Sequence, residues 1–160
     1  MKKLLPYCLI ALLTISLVAC KNGSDSSGGG SGTTTPATNT TPLEGTWVNT
    51  TIGQTYAFAG SGIAVTQTGL PNPSDPSLSD VSMTIGGTFR LDSGKIYMTP
   101  KTIVVAVAGT PMSQTDQDAY LSGNPMSLNT EMLLATYAVN GNTLTLTDTS
   151  TSSTISFTKQ

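Results

Sequence analysis

Few side chains in this 160-residue sequence could carry out chemistry. The sequence contains no histidine and two cysteines, with nine acidic residues against seven basic ones. Ser-His-Asp and Cys-His nucleophilic schemes both need an imidazole base, so both are excluded. Zinc sites that use histidine are excluded for the same reason, and two cysteines alone cannot complete one. We therefore expect no catalytic residues, no metal site and no cofactor, and the chain is not expected to be an enzyme.

The carboxylates are scattered along the chain and do not form a catalytic pair. Most lie beside expected turns, where a solvated side chain is the simplest interpretation. Asp116 and Asp118 could help to hold Ca²⁺, but the regularly spaced oxygen-rich loop of calcium sites is absent. The eight carboxylates beyond the N-terminal region are Glu44, Asp75, Asp80, Asp92, Asp116, Asp118, Glu131 and Asp148.

One cysteine stands in a context that predicts a covalent modification. Two lysines near the N-terminus precede an apolar run over residues 4–18, and Ala19 then precedes Cys20. This order is typical of a secretory signal, and the run is shorter than the roughly 20 residues that span a bilayer as a helix. An ordinary signal peptide followed by an unmodified cysteine is the alternative.

The stretch Leu17-Val18-Ala19-Cys20 resembles the lipobox of bacterial lipoproteins. The resemblance implies a signal peptide over residues 1–19, diacylglycerol on the Cys20 sulfur, cleavage before Cys20 and acylation of the new amine. Membrane attachment through lipid, in the cell envelope, follows as an expectation. Lys21 is not the aspartate that retains lipoproteins at the inner membrane, so the resemblance implies the outer membrane in a diderm host.

The charge of the cleaved chain argues against nucleic acid as a partner. Lys2 and Lys3 would leave with the signal, so five basic residues would remain against nine acidic ones. A weakly acidic chain is repelled by phosphate backbones. With Cys8 also lost and Cys20 lipidated, no disulfide is expected.

Residues 20–42 are expected to be a lipidated cysteine followed by a linker. Residues 21–42 are almost entirely Gly, Ser, Thr, Asn, Pro and Ala, which bury too little surface to offset the entropy of ordering. The sequence therefore predicts a disordered Gly/Ser/Thr linker with a typical span of about 25 Å.

Residues 43–160 have the size of one domain and show the alternation of half-buried β-strands. Ile63 and Val65 share one face, and Ile155 and Phe157 share another. Two segments, TFRLDSGKIYMT over 88–99 and TYAVNGNTLTLT over 136–147, align without a gap around a glycine-containing turn. They predict two similar hairpins, in which Phe89 and Leu91 face the returning aliphatic residues.

Two longer segments interrupt the strands. Residues 69–80 contain three prolines, which predicts a loop. Within residues 109–129, the sequence Ser113-Gln114-Thr115-Asp116 resembles a capping box that opens one short helix ending after Leu121. In an antiparallel barrel we expect both segments at the open end, where they would touch any partner, with Tyr120 as the best single contact.

The sequence Leu43-Glu44-Gly45-Thr46-Trp47 opens this domain, and Gly-x-Trp before alternating strands and a closing hairpin resembles the lipocalin-like domains of bacterial lipoproteins. The resemblance implies an all-β, antiparallel up-and-down barrel of about eight to ten strands. It implies that Gly45 and Trp47 close one end structurally, with Lys159 or Arg90 packed on the indole. An immunoglobulin-like sandwich is the alternative architecture.

Two functions remain open at this point. One is an envelope lipoprotein that holds a small apolar ligand in its barrel. Four aromatic residues are its candidate contacts, namely Tyr56, Phe89, Tyr120 and Tyr137. The alternative is a structural or interaction lipoprotein with a filled barrel that contacts another envelope protein. A barrel of about eight strands accommodates either arrangement.

Overall fold

A computed structural model describes residues 41–122 and 126–160. The predicted signal peptide, Cys20 and all but the end of the predicted linker lie outside the described residues. The described elements are, in chain order, β1 Gly45–Asn49, β2 Gln54–Ala59, β3 Gly62–Leu70, β4 Val81–Asp92, β5 Lys95–Val107, β6 Thr110–Pro111, α1 Gln114–Leu121, β7 Met132–Asn140, β8 Thr143–Thr147 and β9 Thr154–Lys159.

Eight of these strands close into an antiparallel barrel. The strands β1, β2, β3, β4 and β5 pair in sequence order. β5 then pairs with β7, β7 with β8, and β8 with β9. The last strand returns to the first, with Trp47 opposite Lys159. The short β6 adds to the free edge of β5 near its end. The predicted up-and-down barrel is confirmed, and the sandwich alternative is wrong because β9 pairs with β1.

Alternation along the strands places one apolar face inside the barrel. The inward residues are buried while their neighbours face outwards, as period-two patterning predicts. The last part of β5, residues 103–107, is apolar on both faces, and Val104 is 41% exposed on the outer one. The buried apolar residues are Leu43, Trp47, Tyr56, Phe58, Ile63, Val65, Val81, Ile85, Ile96, Met98, Val105, Ala135, Leu144, Leu146 and Phe157.

The two predicted hairpins form with the predicted register. Phe89 lies opposite Met98 in the β4–β5 hairpin, and Tyr137 lies opposite Leu146 in the β7–β8 hairpin. Gly94 and Gly141 supply positive φ angles of 75° and 57° at their turns. Pairing of β5 with β7 sets the two hairpins side by side in the barrel wall.

A pair of glycines bends the longest hairpin. The register between β4 and β5 shifts between Gly86 and Gly87. A Cβ atom on Gly87 would collide with the Thr99 carbonyl and would approach Pro100 Cα to 3.1 Å. Only glycine permits this close approach of the two backbones, and the shift lets two long strands follow the curvature of a small barrel.

The barrel has two unlike ends, which we call the turn end and the loop end. The turn end holds the tight connections 60–61, 93–94 and 141–142, together with the start of β1 and the end of β9. The loop end holds the connections 50–53, 71–80 and 148–153 and the start of the path from β5 to β7, which then runs back along β5 because Met132 lies opposite Met98. Both long segments therefore begin at one end, as predicted from the alternation of antiparallel connections.

The short helix also forms where the capping residues predicted it. Ser113 is the N-cap, and its Oγ accepts a hydrogen bond from the Asp116 amide at 3.3 Å. The helix ends at Leu121, as predicted. Gly123 and Pro125, which were predicted to stop it, lie outside the described residues. In the described part of the chain, no helix is long and apolar enough to cross a membrane.

Candidate functional site

Trp47 lies in β1, the strand that begins at the turn end. Its indole is fully buried, and Nε1 donates a hydrogen bond to the Leu43 carbonyl at 2.7 Å. Lys159 Nζ lies 5.2 Å from the centroid of the indole ring, within range of a cation–π contact. Gly45 has a φ of +116°, and a Cβ there would lie 2.9 Å from Lys159 Cε. Glycine at position 45 therefore makes room for the lysine that covers the tryptophan.

The other candidate partner of the indole, Arg90, is engaged elsewhere. Its guanidinium carbon lies 4.3 Å from the centroid of the Tyr97 ring. Its Nε and Nη2 donate to the two carboxylate oxygens of Glu131 at 3.1 and 3.0 Å. This fork holds the pKa of the Glu131 carboxyl below its usual range. Arg90 thus ties the segment before β7 to the β4–β5 hairpin on the exposed outer wall.

Tyr56 and Phe89, two of the candidate ligand contacts, pack with other aromatic rings. Tyr56 is 5% exposed and meets Phe157 edge-on at 5.1 Å. Phe58 lies between the two candidates, 6.2 Å from the Tyr56 ring and 5.1 Å from the Phe89 ring. Burial of this kind raises the pKa of the Tyr56 phenol. These contacts are those of a packed core.

The accessibility of the inward side chains indicates what fills the barrel. A side chain that lines a cavity large enough for a ligand retains surface that water could touch. Trp47, Ile96, Val105 and Leu144 come from three strands, β1, β5 and β8, and none has any exposed surface. Side chains therefore fill the barrel around these positions, as eight-stranded barrels allow.

The remaining two candidate contacts are half-buried. Tyr137 is half-buried on β7, opposite Leu146. Tyr120 is half-buried on α1, in the path from β5 to β7 at the loop end. The four candidate aromatics are thus divided among three strands and one helix, with Tyr56 and Phe89 joined through Phe58.

Amide side chains line the loop end of the barrel, a feature that sequence analysis missed. Gln54 begins β2, faces inwards and is 4% exposed. Its cross-strand neighbours are Asn49 and Gln67. Within residues 41–122 and 126–160, no group donates a hydrogen bond to the buried Gln54 Oε1. A polar residue at an inward position of a strand pattern was the only sequence signal for this layer.

A second amide side chain hydrogen-bonds to the edge of β5 at a point that β7 does not reach. Gln117 of α1 is buried, and its Oε1 accepts a hydrogen bond from the Val105 amide at 3.0 Å. Its Nε2 donates to the Met112 carbonyl at 3.1 Å, and the Met112 amide donates to the Val105 carbonyl at 2.8 Å. The side chain thus takes the place of a neighbouring strand, which explains why the helix sits at the loop end.

We expect Gln117→Leu to lower the free energy of unfolding by about 1–3 kcal/mol, because it leaves the buried Val105 amide without an acceptor. Urea denaturation followed by circular dichroism measures the loss. Gln114→Leu is the matched control, since Gln114 lies on the same helix but is exposed. An equal change in both variants would contradict the assigned role of Gln117.

Within the described ranges, no group of three or more His, Cys, Asp or Glu side chains is placed to hold a metal ion. Comparison with known proteins finds no matching family model, no matching curated protein and no matching solved structure.

Proposed function

We propose that this protein is a lipid-anchored lipoprotein of the cell envelope, whose filled barrel presents its loop end to another envelope protein. The observation that carries the proposal is the packed interior of the barrel. Trp47 and Leu144, on strands separated by β9, are both fully buried. Binding of a small apolar ligand in the barrel would require these side chains to leave their positions, so surface contact is the better-supported function.

The sequence around Cys20 supports the anchor. A positively charged start, an apolar run and a cysteine after a small residue together favour lipid attachment over an ordinary signal peptide. Two or more acyl chains hold a protein at a bilayer because each buried CH₂ contributes about 0.8 kcal/mol. In a diderm host, Lys21 favours delivery to the outer membrane.

The path of the chain supports the use of the loop end. The described chain enters β1 at the turn end, next to Leu43 and Trp47. A linker between a lipidated Cys20 and β1 would therefore join the barrel at its turn end. The loop end, which carries the two long connections, is then the end without a covalent attachment.

The arrangement of Gly45, Trp47 and Lys159 supports a relationship to lipocalin-like lipoprotein domains. Glycine two residues before a buried tryptophan, with a basic residue of the last strand over the indole, is the arrangement that the resemblance implied. The relationship rests on these three residues and on the barrel topology.

Cys20→Ala is expected to abolish incorporation of labelled palmitate, because the acceptor sulfur is gone. Metabolic labelling with palmitate followed by immunoprecipitation measures this. Cys8→Ala is the matched control and should label normally, since Cys8 lies within the predicted signal. Unchanged labelling of the Cys20→Ala protein would show that the anchor is wrong.

The filled barrel is tested with a fluorescent fatty acid. We expect no saturable one-to-one binding and no change in the emission of Trp47, the single tryptophan. Saturable binding that quenches Trp47 would favour the ligand-binding alternative instead.

A further inference from the structure

We propose that the loop end is a docking surface for a cationic, amphipathic segment of a partner protein. This inference rests on the proposed interaction function and names the chemistry of the partner. Three observations carry it: the distribution of charge between the two ends, the position of exposed apolar side chains, and an unsatisfied buried acceptor at the barrel mouth.

Charge is distributed unequally between the two ends. Five carboxylates occur at the loop end, namely Asp75, Asp80, Asp116, Asp118 and Asp148, and a sixth at the end of the path from β5 to β7, Glu131, is paired with Arg90. Lys101, the central residue of β5, donates a hydrogen bond to the Asn129 side-chain oxygen at 3.1 Å. The other basic residues of the described ranges are Arg90, Lys95 and Lys159, which belong to the β4–β5 turn region and to the end of β9.

The carboxylates of the loop end are held in place by neutral groups. Asp75 accepts from the Ser77 hydroxyl at 2.6 Å, Asp118 from Gln114 Nε2 at 2.7 Å, and Asp148 from the Ser150 hydroxyl at 2.6 Å. These bonds fix each side chain and lower the pKa of the Asp75 and Asp148 carboxyls, so both are ionised at neutral pH. Both ion pairs among the described residues use Arg90 instead. The negative charge at the loop end is therefore ordered but not neutralised.

Exposed apolar side chains occur at the same end. Ile52 and Leu78 lie in two different loop-end connections and are 40% and 48% exposed. Backbone hydrogen bonds link neighbouring connections to the strands beside them, with Thr68 donating to Gly53 at 2.8 Å and Ala108 donating to Asp80 at 3.0 Å. These bonds hold the connection 50–53 against β3 and the connection 71–80 against the residue that follows β5. An end of the barrel with both apolar side chains and carboxylates suits a partner that offers apolar and cationic groups together.

Gln54 adds an independent indication. It faces the barrel interior at the loop end, and its buried Oε1 has no donor among the described residues. A buried acceptor without a donor is unfavourable, and a bound group that enters the barrel mouth and donates a hydrogen bond would satisfy it. Ammonium and amide groups of a cationic segment are such donors, and a purely apolar ligand is not.

The test uses a synthetic peptide in which lysine and leucine form opposite faces of a helix. The barrel closes on itself within Gly45–Lys159, so a chain beginning at residue 21 keeps all described contacts and needs no detergent. We expect saturable binding by fluorescence anisotropy that weakens as salt is added. The same peptide with glutamate in place of lysine should not bind. The lipid anchor is absent from this chain, so the result is independent of palmitate labelling.

Paired variants locate the binding surface. Asp75→Asn with Asp118→Asn should weaken binding about fivefold, since each exposed charge contributes a fraction of a kcal/mol. Glu44→Gln with Asp92→Asn removes the same charge from the turn end and should leave the affinity within about twofold. Ile52→Ser with Leu78→Ser should also weaken binding, whereas Val104→Ser with Leu133→Ser, on exposed strand positions, should not.

Three results would overturn the proposal. The first is equal weakening by the loop-end and turn-end charge pairs, which would indicate nonspecific attraction. The second is equal binding of the lysine and glutamate peptides. The third is binding to vesicles of zwitterionic phospholipid that is lost with Ile52→Ser and Leu78→Ser but not with the aspartate variants, which would indicate a lipid surface as the partner.

Discussion

Trp47→Ala is expected to lower the free energy of unfolding by about 3–5 kcal/mol. The indole is fully buried, and its removal opens a cavity beneath Leu43 that the surrounding strands cannot fill. The substitution also removes the donor to the Leu43 carbonyl and leaves Lys159 without the ring it covers. For a domain of ordinary stability, about 5–15 kcal/mol, this loss approaches complete unfolding.

Urea denaturation followed by far-ultraviolet circular dichroism is the suitable measurement, because the variant loses the single tryptophan as a fluorophore. Lys159→Met is the matched control, because it removes only the cation above the indole. It should lower the free energy of unfolding by only about 0.5–1 kcal/mol, the range of an exposed cation–π contact. An unchanged denaturation midpoint for Trp47→Ala would refute the structural role predicted for this residue and remove the main support for the proposed lipocalin-like relationship.

Gly87→Ala is expected to cost about 1–3 kcal/mol, although it adds a single methyl group. The added carbon would meet the backbone of β5 at Thr99 and Pro100, which cannot move aside as a flexible side chain would. Relief requires β4 and β5 to separate at the point where their register shifts, and this would disturb ladder hydrogen bonds on both sides.

Thermal denaturation of the Gly87→Ala variant measures this loss. Gly94→Asn is the control: position 94 has a φ of 75° and no neighbour within 4 Å of a Cβ, and asparagine tolerates this conformation. We expect a clear drop in melting temperature for the first variant and little change for the second. The reverse order would show that the strands are bent by something other than the Gly86-Gly87 pair.

Local signals predicted the hairpins and the helix. Asn140-Gly141 and the alternation around it predicted the β7–β8 register, and Ser113 with Asp116 predicted the start of α1. Because successive antiparallel connections lie at alternate ends of a barrel, the strand order then predicted that both long segments begin at the same end. These predictions succeeded because each depends on residues close together in the sequence, where turn geometry and side-chain period decide the outcome.

Features set by closure of the barrel were not predictable in the same way. The alternation pattern placed Tyr56 and Phe89 inside, but whether inward aromatics line a cavity or fill a core depends on strand number and tilt. Pairing of β5 with β6, and the use of Gln117 as a substitute for a strand, depend on how far β7 extends. The resemblance named Lys159 and Arg90 as partners for the indole, and only the register of β9 against β1 distinguishes them.

Pairing of the first and last strands has a consequence for how the chain folds during synthesis. Every other barrel contact joins strands that follow closely in the sequence, but the hydrogen bond from Asn49 Nδ2 to the Ser156 carbonyl spans 107 residues. Until Thr154–Lys159 has emerged, β1 therefore keeps one unpaired edge. The most recently formed strand has an unpaired edge as well. Open edges of this kind are prone to pair with other chains. Closure by β9 is a slow, non-local step, on the order of milliseconds to seconds in β proteins. A nascent chain truncated before β9 would thus possess most of its hairpins and still be exposed to aggregation.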